Sequence, residues 1–185
     1  MMVTSNKVLI VIDMQNDFIT GTLANKTAAK KVKPICDYIT KFKGDIILTR
    51  DTHGADYLAS QEGKFLPVEH CIAGTAGQCI HDDILRALRG KKNHQVIDKP
   101  HFGALKWGNL IPGGLIKEIE ICGTVTEICV VSNALILKAM FPEAKITIIK
   151  DLCAGLTPEG HEAAIKTMEA CQCVIDITKY SDLDQ

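Results

Sequence analysis

Six short runs rich in isoleucine and valine alternate along this chain with stretches of helical periodicity. That alternation constrains the fold more than any other feature. Lys7–Met14, Asp45–Arg50, Gln95–Asp98, Ile119–Gly123, Lys145–Lys150 and Cys171–Ile177 read as strands that are apolar on both faces. Such strands need helices above and below their sheet. The intervening segments supply them: Ala28–Phe42, Ile80–Leu88, Glu127–Met140, and Pro158–Ala170 with Thr157 as its N-cap. The pattern predicts a three-layer α/β/α, doubly wound, mostly parallel six-stranded sheet of Rossmann-like type, in one domain spanning residues 1–185.

Composition narrows the function. With 21 basic and 22 acidic residues the net charge is −1, which gives no footprint for nucleic acid or an anionic membrane. The apolar run Val8–Ile12 is too short to span a bilayer and Asp13 stops it, and no signal peptide is expected. Eight cysteines without a CxxC pair point to reduced thiols in a cytoplasmic protein. Cys122, Cys171 and Cys173 lie in strand-like runs and read as buried small hydrophobes.

In open sheets of this class, ligands bind beyond the carboxyl ends of the strands. The unusual polar residues of this chain fall there: Asp13, Asp51, Lys99 and the Thr124–Cys129 turn. Cys129 follows a strand and precedes a helix, where the helix dipole favours thiolate and backbone N–H groups can hold an oxyanion. A core cysteine is an equal reading of its position alone. Asp13 is costly to bury unless it is paired or used. Lys99 read alone is a solvated strand end. Together, at three neighbouring strand ends, an acid, an amine and a thiol are what amide cleavage requires. A second cluster, Asp51-Thr-His53 with His70, makes a three-ligand metal set with open positions. Its alternative is an exposed loop acid with a hydrogen-bonded histidine. The stretch Thr52–Gln78 is long for an irregular connection and so reads as functional, whereas His81, His94, His101 and His161 show no ligand spacing.

Three segments in this order resemble the isochorismatase-like cysteine hydrolases, the superfamily that includes the nicotinamidases. Val11-Ile-Asp13-Met-Gln15-Asn-Asp17-Phe18 resembles the strand carrying the family's catalytic Asp. Lys99 with Phe102-Gly-Ala104 resembles the catalytic Lys segment, and Gly123-Thr-Val-Thr126-Glu-Ile-Cys129-Val130 the nucleophile turn. The resemblance implies the isochorismatase-like hydrolase fold, a catalytic set of Asp13, Lys99 and Cys129, an oxyanion hole from the N–H groups of Val125 and Cys129, and a cis peptide between Thr124 and Val125. It implies Phe18, Leu66 and Phe102 as substrate contacts and Asp51, His53 and His70 as ligands of a divalent metal, Zn foremost and Fe or Mn otherwise.

The activity so implied is hydrolysis of a small-molecule amide, nicotinamide first, through a cysteine thioester, in a homo-oligomer. The apolar helix Ile128–Met140 reads as core or interface. Two departures concern the pyridine pocket: Phe65-Leu66 stands where nicotinamidases usually carry Trp, and Tyr57 near the place of a further His. The rival readings are a metal-free hydrolase of carbamoyl or ureido substrates and a non-enzymatic redox or interaction protein on the same fold.

Overall fold

The structure, a computed structural model, describes residues 2–177; residue 1 and residues 178–185 of the expected domain lie outside the described residues. Six parallel strands form one sheet: β1 (Lys7–Ile12), β2 (Asp45–Asp51), β3 (His94–Lys99), β4 (Glu118–Thr124), β5 (Lys145–Ala154) and β6 (Val174–Asp176), in the order β3-β2-β1-β4-β5-β6. The chain winds outward from β1 in one direction and returns to β4 on its other side. The crevice at that reversal, beyond the carboxyl ends of β1 and β4, is where open α/β sheets bind ligands.

Burial on both faces of β1, β2, β4 and β5 follows from their composition, whereas the edge strands β3 and β6, also read as apolar on both faces, are half exposed. Val8, Ile10 and Ile12 of β1 pack into one core, while Leu9 and Val11, pointing the other way, pack into a second. The first core is closed by α5 (Trp107–Leu110), α6 (Val131–Met140) and α7 (Pro158–Ala170) through Trp107, Leu137, Ile165 and Met168. The second is closed by α2 (Lys26–Lys41) and α4 (Asp82–Ala87) through Val32, Ile35, Ile39 and Ile84. Two single-turn helices, α1 (Asn16–Ile19) and α3 (Gln61–Phe65), sit in the loops beyond the strands. Asn25 caps α2 by accepting from Thr27 N at 2.8 Å, and Thr157 caps α7 by accepting from Gly160 N at 3.0 Å. Gly123, at φ +121°, lets β4 meet β1 closely, since a Cβ there would collide with the Ile12 carbonyl.

Three expectations are corrected. Cys171 is exposed in the turn that ends α7, because Gln172 adopts φ +69° and β6 begins only at Val174. Glu127–Met140 is not one α-helix: Thr126–Val130 forms a turn of π-helix, with Val130 N bonded to Val125 O at 3.1 Å, before α6 begins. The strand ends bearing Asp13, Lys99 and Cys129 are not all neighbours, because β2 lies between β1 and β3. Among the described residues, no helix is long and apolar enough to cross a membrane.

Candidate active site

The carboxyl rim of the sheet brings the expected trio together. Asp13 directly follows β1 in a left-handed conformation, φ +47°. Its Oδ1 accepts from the Thr49 hydroxyl at 2.6 Å, and its Oδ2 faces Lys99 Nζ at 2.7 Å. Lys99 ends the edge strand β3 and reaches across the end of β2. Its Nζ lies 3.5 Å from Cys129 Sγ, 3.4 Å from Asp51 Oδ1 and 3.2 Å from the His101 carbonyl. All three side chains are buried. The peptide bond between Thr124 and Val125 is cis, as the resemblance implied.

The electrostatics correct one expectation. Burial pushes the Cys129 thiol well above its ordinary value, and the Asp13 charge beside it adds to the rise against the opposing pull of Lys99. Burial and the Asp13 charge thus oppose ionisation of the sulfur, and Lys99 favours it. Burial also raises the Asp13 carboxyl, with Lys99 opposing. For Lys99, burial acts downward, but the Asp13, Cys129 and Asp51 charges outweigh it and raise its pKa. Asp13 Oδ2 has no hydrogen-bond partner among the described residues beyond its ion pair, so it retains capacity for a proton.

The second cluster also assembles, with one acid the sequence reading missed. Asp51, His53 and His70 are joined by Glu62, and one donor atom from each lies within 4.8 Å of the others. Asp51 Oδ2 is 2.9 Å from His53 Nε2 and 3.5 Å from His70 Nε2; Glu62 Oε1 is 3.7 and 3.9 Å from the same two nitrogens. His70 Nδ1 bonds to the Val68 carbonyl at 2.8 Å, which assigns the proton to Nδ1 and leaves the Nε2 lone pair for a cation. Burial raises the Asp51 carboxyl, but the His53 and His70 rings beside it and the Lys99 charge outweigh it and hold it well below the carboxylate range. A buried pair of imidazoles and a pair of carboxylates fit a divalent ion such as zinc, iron or manganese. Tyr57 lies beside this cluster. Its ring packs 4.7 Å from that of His53 and its hydroxyl donates to the Leu66 carbonyl at 2.9 Å.

Between the clusters lies a cavity of about 250 Å³, lined by Phe18, Leu23, Leu66, Phe102, Val125, Ile128 and Leu156, with Cys129, Asp51, Glu62, His70 and Asn25 as polar groups. The three expected contacts, Phe18, Leu66 and Phe102, all border it. Phe65, by contrast, is 83% exposed and points away, so Leu66 supplies the wall. Two buried amides hold the surrounding loops. Gln15 accepts from Asp51 N at 2.7 Å and donates to Asp51 O at 2.8 Å. Asn133 donates to Cys129 O at 2.7 Å and to Phe102 O at 3.0 Å.

Residues 7–179 match the Isochorismatase domain. The chain belongs to the isochorismatase family. It is 25% identical over 179 residues to the nicotinamidase/pyrazinamidase of Mycobacterium tuberculosis, covering 88% of this chain and 94% of that protein. The pyrazinamidase/nicotinamidase of Streptococcus mutans superposes with a TM-score of 0.80 at 25% identity, over 92% of this chain and 99% of the other. The pyrazinamidase of Pyrococcus horikoshii, solved in complex with zinc, superposes with a TM-score of 0.78 at 27% identity, over 92% and 98%. The family assignment accords with the six-stranded parallel sheet flanked by helices.

Proposed function

We propose that this isochorismatase-family protein is a cysteine-dependent amidohydrolase that converts nicotinamide and water to nicotinate and ammonia. The observation that carries the reading is the contact of Lys99 Nζ with both Asp13 Oδ2, at 2.7 Å, and Cys129 Sγ, at 3.5 Å, on the wall of an apolar cavity. The metal-ligand cluster on the same cavity favours it over hydrolysis of carbamoyl substrates without metal.

In this mechanism the resting thiol gives its proton to Asp13 as Sγ bonds to the carboxamide carbon. Lys99 holds the carboxylate and the developing thiolate in one field. The N–H groups of Val125 and Cys129, at the cavity wall, receive the oxyanion; each such donor contributes roughly 3–4 kcal/mol to a step of this kind. Asp13 passes the proton to the departing nitrogen, the C–N bond breaks, and ammonia leaves behind a thioester. Water then attacks the thioester carbon with Asp13 as base; the acid departs and the proton returns to sulfur. Phe18, Leu66 and Phe102 enclose the ring. Asp51, His53, Glu62 and His70 would hold a divalent ion, zinc foremost, and such an ion supplies a Lewis-acid anchor for an electron pair on the substrate.

The test is ammonia release from a panel of small amides led by nicotinamide, before and after dialysis against a chelator. Turnover of nicotinamide that falls on chelation and returns with zinc supports the reading. Full activity on a ureido substrate in chelator, with none on nicotinamide, overturns it. The reading includes a cytoplasmic location and association into a homo-oligomer; no helix among the described residues is long and apolar enough to cross a membrane.

A further inference from the structure

The nucleophile turn carries a second acid, Glu127, that the mechanism above does not use. Its carboxylate does not face the thiol. Oε1 accepts from Leu156 N at 2.8 Å and from Thr157 N at 3.3 Å, the N–H groups just ahead of α7. The amino end of a 13-residue helix is a favourable seat for a carboxylate. The seat is close around both oxygens, and Oε2 is buried there with no hydrogen-bond partner among the described residues. An added Cβ on Gly155 would lie 2.7 Å from Glu127 Oε2, and one on Gly160 would lie 2.6 Å from Oε1. A second tie runs in parallel, since His161 of α7 bonds through Nδ1 to Thr126 Oγ1 at 2.9 Å. The two segments so joined both border the cavity, one through Cys129 and the other through Leu156.

The turn needs such a tie. Thr126–Val130 is wound wider than an α-helix, with its Val130–Val125 bond spanning five residues, a geometry that survives only where its surroundings impose it. We propose that Glu127 is a positioning residue: its carboxylate, seated at the amino end of α7, locks the wide turn and so holds Cys129 Sγ against Lys99 and Asp13. The inference rests on Cys129 being the nucleophile of the proposed hydrolysis. Misplacing a reacting atom by about 1 Å costs on the order of 100-fold in rate, so a loosened turn is felt in kcat before it is felt in folding.

The test uses the full chain and two readouts. One is kcat and KM for ammonia release from nicotinamide. The other is the rate of Cys129 alkylation by iodoacetamide, located by peptide mass mapping, which needs no substrate. Glu127→Ala is expected to lower both kcat and the alkylation rate about tenfold or more, and Glu127→Gln, which keeps the acceptor oxygen, to restore most of the loss. Gly160→Ala attacks the seat from the other side: its methyl group would push Oε1 away, so the expected result is a lower kcat and a lower alkylation rate than the parent's. Tyr38→Phe, which removes a buried hydrogen bond to Glu120 away from the turn, is expected to lower Tm and leave kcat within about twofold. Parental kcat and alkylation rate in both Glu127→Ala and Gly160→Ala overturn the proposal, as does an equal loss of kcat in Tyr38→Phe. If the parent protein does not turn over nicotinamide, the proposed function fails while the alkylation rates still decide this inference.

Discussion

Two buried carboxylates sit on neighbouring strands of one sheet, each beside a lysine, and only one of them faces a reactive group. Glu120, in the amino-terminal half of β4, accepts from the Tyr38 hydroxyl through Oε2 and faces Lys7 Nζ at 2.9 Å through Oε1. Asp13, past the end of β1, accepts from Thr49 through Oδ1 and faces Lys99 at 2.7 Å through Oδ2. Burial pushes the Tyr38 phenol well up, with the Glu120 hydrogen bond adding to the rise, so the Tyr38 proton stays where it is. The third member of the rim cluster is a thiol on a cavity wall, whose proton has somewhere to go. A buried acid–lysine pair is thus not a function in itself. It becomes chemistry when a nucleophile and a route for substrate are added.

The largest expected effect breaks the rim cluster at that nucleophile. Cys129→Ala removes the atom that bonds to the substrate, and ammonia release from nicotinamide should fall by on the order of 10⁴-fold or more. Circular dichroism and Tm should stay near those of the parent, because a small side chain replaces a small one. Release at the parental rate would end the comparison, since the two clusters would then be equally inert.

Next comes the acid. Asp13→Asn removes the proton acceptor, and the expected loss is roughly 10²–10⁴-fold in kcat. The pH profile of the parent sharpens this. Burial raises the Asp13 carboxyl, so Asp13 takes up its proton at a higher pH than an ordinary carboxylate does. Activity that needs the ionised form is therefore present above that raised value and is lost as pH falls through it. The acid limb of kcat/KM should lie above the usual carboxylate range of about 4. Lys99 stays charged across the same span, because the surrounding acids raise its pKa. An acid limb at or below pH 4 would show that Asp13 is not the group being read.

Smaller still is the effect of the cation site. His70→Ala, or dialysis against a chelator, should lower kcat/KM about 10- to 100-fold, the scale on which perturbing a metal's surroundings acts. The rate of Cys129 alkylation should change far less, because the thiol's nearest charged neighbours, Asp13 and Lys99, are untouched. Zinc content measured on the same samples checks the assignment. Equal loss of alkylation and turnover would mean that the two halves of the rim are not separable.

How much of this was legible in the sequence follows from which forces act locally. The strands were readable because residues such as Val8–Ile12 must be apolar on both faces to lie in a covered parallel sheet. Thr157 was readable because a cap is a short-range device. The trio at residues 13, 99 and 129 was readable as residue types at strand ends, but not as a path: nothing in a string of letters says that Lys99 crosses β2 to reach Asp13. Glu62 escaped notice because it sits in a short polar helix, Gln61–Phe65, that reads as solvated. An acid between Asp51-Thr-His53 and His70 was the available signal. The wide turn escaped for the same reason as Glu127, since its cause lies 30 residues away at the start of α7.

The smallest expected change in activity tests the other cluster. Tyr38→Phe removes one hydroxyl from Glu120 and leaves Lys7 in place. A buried acceptor that loses its donor costs about 1–3 kcal/mol, so urea unfolding should show the midpoint falling without a change in slope. Turnover of nicotinamide should remain within about twofold, because Glu120 pairs in register with Leu9 of β1, four residues before Asp13, and lies below the rim. The two measurements separate cleanly in sign: stability moves and kcat does not, the reverse of Cys129→Ala. A tenfold loss of kcat in Tyr38→Phe would mean that the Glu120 cluster supports the rim through the sheet, and that buried ionic groups here act as one network instead of two.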